Sequence, residues 1–170
     1  MATTVASAER AESFEDFFHA EYERLLRALY LATGDRHEAE DLAQEAFVRV
    51  YERWGTVSGL HNPPGYVYRT ALNLRRSRLR RVATAARRLV RIRHEDEPDP
   101  ARAADDRDAI RRALAAIPAG QREALVLVEW LGLSDVEAAE VLGVASVTVR
   151  VRISRARPVL QAHLRGERDA

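Results

Sequence analysis

The stretch SDVEAAEVLGVASVTVRVRISRAR, Ser134 to Arg157, decides the fold through its punctuation. Ser134 with Glu137 three residues on forms a capping box, Val136, Ala139 and Leu142 recur at helical spacing, and Gly143 supplies a left-handed stop. Ser146 then caps a second helix whose apolar side is Val149 and Ile153 and whose other sides carry Arg150, Arg152, Arg155 and Arg157. Two short helices around a glycine turn, the second basic, make a helix-turn-helix, with Ala139 small enough for the helices to cross closely. Such a pair puts its second helix into the major groove of DNA, where arginine can bridge two acceptors on a guanine edge. A core hairpin with a solvated arginine face is the plainer alternative, but Asp135, Glu137 and Glu140 all lie on the first helix and the second has no acid. That asymmetry fits a second helix approaching phosphates alone.

Working back from this stretch, the 170 residues read as two small helical domains, so the expected fold class is all-α with a flexible linker and a C-terminal helix-turn-helix. The net charge of +1 averages separate acidic and basic blocks, and every basic residue other than histidine is arginine. The absence of cysteine excludes disulfides, a thiolate nucleophile and the usual structural zinc sites. No apolar run reaches the roughly 20 residues needed to span a bilayer, and the start lacks a hydrophobic signal core, so a cytoplasmic protein without membrane insertion is expected. Residues 1–12 are small and polar and read as disordered.

In the first domain, residues 13–81, Ser13 and Asp16 open a helix whose core face is Phe14, Phe17, Phe18, Tyr22, Leu25, Leu26 and Leu29, ending near Gly34. A second helix runs from Arg36 to Trp54 with Ala39, Leu42, Ala43, Ala46, Phe47, Val50 and Trp54 inward. The first half of its outer face is acidic, which by itself reads as solvated. Paired carboxylates there are not accompanied by histidine at a metal-ligand spacing, so no metal, catalytic group or cofactor is expected. Gly55 to Gly65 is a loop by its glycine and proline content. Pro64 then suits the first turn of a helix with Val67, Ala71, Leu74 and Tyr66 inward.

Between Pro63 and His94 there are ten arginines and no acid. Tyr66, Tyr68 and Asn73 among them offer stacking and hydrogen bonding to unstacked bases beside phosphate contacts. If about six of these arginines touched duplex phosphates, affinity would fall with salt at a log-log slope near five. The sign then reverses at Glu95 to Pro100, within a linker assigned to 82–102. The second domain, 103–165, opens with helices carrying Ile110, Leu114 and Ile117, then Leu125, Val126, Val128 and Leu131, with Trp130 taken as core.

Read in this order, AEDLAQEAFVRVYERW at Ala39 to Trp54, PPGYVYRTALNLRRSRLRR at Pro63 to Arg81, IPAGQREALVLVEWLGLS at Ile117 to Ser134 and GVASVTVRVRISRAR at Gly143 to Arg157 resemble bacterial RNA polymerase sigma factors of the small extracytoplasmic-function group. The resemblance implies that Asp41, Gln44 and Glu45 dock on the clamp helices of the polymerase largest subunit, replacing the solvated-face reading. It implies that Leu60, His61 and Asn62 form a loop capturing a flipped nontemplate base of the downstream promoter element, and that Tyr66, Arg69, Asn73, Arg76 and Arg80 line the melted strand. Ser146, Arg150, Val151, Ser154 and Arg155 would face the groove of the upstream element, with Thr148 and Arg157 on the backbone.

Val147 stands where the family commonly has glycine, Val151 where serine is frequent, and Pro158 suggests a kink or early end to the recognition helix. The implied partners are core RNA polymerase, promoter DNA and an anti-sigma factor that clamps both domains. A stand-alone helix-turn-helix regulator would explain Ser134 to Arg157 but leave the acidic helix and the arginine block without purpose. A DNA-cutting enzyme would need a constellation that Ser58 or Tyr68 alone does not make.

Overall fold

The computed structural model describes residues 13–88 and 106–166, with side chains over 13–84 and 110–165, and the regular secondary structure of these residues is all helical. The helices are α1 (Phe14–Thr33), α2 (Arg36–Tyr51), α3 (Trp54–Val57), α4 (Pro63–Arg88), α5 (Asp106–Ala115), α6 (Ala119–Leu125), a π-helical turn (Val126–Trp130), α7 (Asp135–Leu142) and α8 (Ser146–Gly166). The N-terminal tail and the acid-rich part of the linker lie outside the described residues.

Local chemistry sets the helix ends. The Ser13 hydroxyl accepts from the Asp16 N–H at 3.1 Å, and Asp35 accepts from the Glu38 N–H at 2.9 Å. Asn62 caps α4, its Oδ1 accepting from the Gly65 N–H at 2.8 Å. A Cβ at Gly65 would stand 2.7 Å from the Asn62 side chain, so this cap requires glycine. The capping box of α7 is complete, since Ser134 and Glu137 bond each other's backbone N–H, and Gly143 closes the helix at φ 66°.

In the first half, α1 packs on α2 and α2 on α4 around Phe17, Leu25, Leu42, Phe47, Val50 and Val67. In the second, α8 is wrapped by α5, α6 and α7, with Val149, Ile153 and Ala156 against Leu114, Leu125 and Leu142. The halves are not apart. α4 packs on α7 and α1 on the π turn, and one buried apolar cluster runs through both.

Several sequence expectations are corrected. The second helix stops at Tyr51, and Trp54 opens the separate short α3, half-buried against Phe14 and Phe17. Helix α4 continues past Arg81 to Arg88. Trp130 is 53% exposed, not core. Trp130 closes the π turn, whose wider winding shifts the helical register, so the face set by Leu125 and Val126 no longer carries Trp130 inward. It borders an open groove of about 360 Å³ with Leu31, Ile110, Leu114 and Leu160. Ile110 and Val136 are likewise exposed; α7 buries Ala138, Ala139, Val141 and Leu142 instead.

Pro158 does not end α8, which runs on to Gly166. Proline forfeits the bond to the carbonyl four residues back, here that of Ser154, and both residues lie on the exposed side where water can satisfy it.

Candidate nucleic-acid interface

On α8 the groove-facing candidates Arg150, Val151, Ser154 and Arg155 are exposed, while Ser146 and Thr148 at the first turn are half-buried. Burial of Val149, Ile153 and Ala156 holds the opposite side of the helix and so aims this face outward. Arg157 is exposed but turned onto Glu129 of the π turn, its Nε donating at 3.2 Å. The Arg150 guanidinium stands 4.0 Å from Asp135 at the start of α7, too far for a hydrogen bond.

On α4, Tyr66, Arg69, Asn73, Arg76 and Arg80 follow one another at spacings of three or four and therefore share one stripe. Arg69, Asn73 and Arg80 are exposed, and the half-buried Tyr66 hydroxyl accepts from Arg53 at 3.5 Å. In the preceding loop Leu60 and His61 are exposed, whereas Asn62 is half-buried and spends its oxygen on the α4 cap. The loop lies beside the second half: the Glu137 carboxyl is held below its ordinary value first by the Ser134 N–H and hydroxyl, with the charge of His61 adding in the same direction.

Tyr68 is not available to bases. It is 2% exposed, and its hydroxyl donates to Glu21 at 2.6 Å; burial first, and that bond second, push its pKa well above the ordinary tyrosine value. Glu21 also accepts from Arg24 at 3.1 Å, and Arg24 reaches the Leu131 carbonyl at 3.4 Å.

On α2, Asp41 and Gln44 are exposed. Glu45 is half-buried between Arg78 and Arg49, each donating at 2.7 Å, and the Arg78 bond leads the lowering of its carboxyl below the usual range.

The arginine block therefore divides. Arg75 is buried and donates to Glu123 at 3.0 Å, with Glu38 at 3.6 Å. Arg76, a strand-lining candidate, donates to the other Glu123 oxygen at 3.0 Å and to the Leu142 carbonyl at the end of α7 at 3.2 Å. Arg122 beside them is held below the ordinary arginine value by burial, and next by the like charge of Arg75. Glu123 thus ties the second half onto α4. Sequence reasoning missed it; the available signal was a single acid inside IPAGQREALVLV, three and four residues before Val126 and Leu127 and hence on a face that should be buried.

Among the described residues no helix is long and apolar enough to cross a membrane, and no group of three or more histidine or acidic side chains is placed to hold a metal.

Residues 17–95 match the family model for sigma-70 region 2, and residues 107–158 that for sigma-70 region 4. The chain is 30% identical over 156 residues to the RNA polymerase sigma-E factor of Streptomyces coelicolor, covering 89% of this chain and 85% of that protein. This chain belongs to the extracytoplasmic-function sigma factors of the sigma-70 family. The sigma factor is also 33% identical over 166 residues to the ECF RNA polymerase sigma factor SigE of Mycolicibacterium smegmatis, covering 89% of this chain and 62% of that protein. Its fold is similar to that of the sigma factor RpoE in complex with the anti-sigma factor NepR from Bartonella quintana, at a TM-score of 0.73 and 24% identity over 91% of this chain and 98% of that one. In the sigma factor, the region 2 match takes in nearly all of α1 with α2, α3 and α4, and the region 4 match runs from α5 into α8.

Proposed function

We propose that this sigma factor docks on core RNA polymerase through the Asp41, Gln44 and Glu45 face of α2, holds the melted downstream promoter strand along the Tyr66 to Arg80 stripe, and reads the upstream element as duplex through α8. The observation that carries this reading is the presence on one chain of three separately exposed faces, acidic on α2, mixed aromatic and basic on α4, basic on α8, in the order of the two family regions. The chain performs no bond chemistry. Its contribution is binding energy: bases leaving the duplex stack exchange stacking on their neighbours for stacking and hydrogen bonds on α4 and its loop, so that opening is nearly balanced.

The boundaries 13–81 for region 2, 82–102 for the linker and 103–165 for region 4 belong to this proposal, as does a cytoplasmic location beside the polymerase. So does an anti-sigma partner, supported by the NepR complex of a similar fold.

The closed arrangement adds a requirement. Arg76 is occupied by Glu123 and the end of α7, so the stripe is completed only when region 4 leaves α4. Purified chain mixed with core polymerase should form a stoichiometric complex, and 2-aminopurine placed in the downstream element should brighten on binding. Complex formation without brightening on any promoter would refute the melting role, and no complex would refute the reading as a whole.

A further inference from the structure

The middle of the recognition face is not arginine. With about 100° of turn per residue, Val147, Ser154 and Val151 fall within about 40° of one line along α8, opposite the buried Val149 and Ala156. Arg150 lies about 60° to one side of Val147 and Arg155 about 80° to the other. Val147 is 55% exposed and Val151 41% exposed, one turn apart. Neither is explained by the helix itself, because β-branched side chains are poorer helix formers than the alanines and arginines this chain uses at many other exposed positions. In a helix lying in the major groove, the line opposite the buried side meets base edges and the flanks meet the backbone. The one apolar group presented by bases there is the C5 methyl of thymine.

We propose that Val147 and Val151 read thymine methyl groups in the upstream promoter element, with Arg150 and Arg155, which the family resemblance places facing the groove, instead straddling them toward phosphates. This rests on the reading that α8 enters the major groove. Sequence preference at the centre of the element then comes from methyl contact, and the arginines supply affinity that is less dependent on sequence.

The test uses full-length sigma factor assembled with core polymerase. Promoter duplexes randomised over the upstream element are selected for binding, and the selected element is remade with deoxyuridine in place of thymine, which deletes only the methyl groups. Affinity is expected to fall about threefold to fourfold for each contacted thymine, the worth of burying one methyl-sized group, and about tenfold for two. V147A/V151A, altered only at exposed positions and with a better helix former, should bind the thymine duplex about as weakly as the native protein binds the uracil duplex, and should no longer distinguish the two. Equal binding of both duplexes by the native protein would overturn the proposal, as would a double variant that remains equally sensitive to uracil. A selection that enriches no upstream sequence would overturn the promoter-reading function itself.

Discussion

Replacing Glu123 by Gln should open the interface between regions 2 and 4. Glu123 is the shared acceptor of Arg75 and Arg76, and the side chains of Arg75 and Glu123 are 8% and 6% exposed. Removing one member of such a buried pair costs about 3–5 kcal/mol, because the other charge stays desolvated without compensation. Here Arg75 would keep at most a neutral amide oxygen in place of the carboxylate, and the counter-charge left to it, Glu38, stands at 3.6 Å, with the Arg75 Nε already lacking a hydrogen-bond partner. The cost falls on the closed arrangement alone, since water solvates both groups once the halves part. The closed-to-open ratio should therefore drop by about two to four orders of magnitude.

The chain has no cysteine, so Glu52→Cys and His163→Cys, both at exposed positions, accept a donor and acceptor dye without competition. Energy transfer in the free protein should fall in E123Q and stay unchanged in E140Q, whose side chain is on the exposed side of α7. A folded E123Q with the native distance distribution would refute the reasoning.

Asp41→Arg should abolish association with core polymerase, as read by co-purification, while leaving the circular dichroism spectrum unchanged. Tyr68→Phe should cost about 1–3 kcal/mol in urea unfolding, because the buried Glu21 carboxylate loses its 2.6 Å donor and retains only Arg24. Ser134→Ala should cost about 1 kcal/mol through loss of the α7 cap, measured the same way. Because the folded Glu137 value is depressed, its contribution is fully present above the ordinary value of 4.5 and is lost as pH falls through the lower folded value. The pH dependence of unfolding over that window should therefore flatten in E137Q.

The helices that carry the faces were legible because burial of one side imposes a 3.6-residue period: Ala39, Leu42, Ala43, Ala46, Phe47 and Val50 are all buried on α2, and Val149 and Ile153 on α8. Capping was legible for the same local reason at Ser13, Ser134, Gly34 and Gly143. What periodicity does not carry is which partner a charged side chain finds across the chain. Arg75 and Arg76 meet Glu123 at separations of 48 and 47 residues, and Tyr68 meets Glu21 at 47. A run of arginines looks uniform in sequence, yet one turn of α4 faces region 4 and another faces solvent. Trp130 was misplaced because nothing in VLVEW marks a π turn that rotates the register.

Transcription from reconstituted enzyme tests the central claim most directly. Core polymerase with this sigma factor should initiate at discrete sites on a subset of genomic fragments, and core polymerase alone should not. Substituting bases in either the upstream or the downstream element of such a site should abolish the transcript. Transcription no different from that of core polymerase alone, across fragments spanning the whole genome, would contradict it.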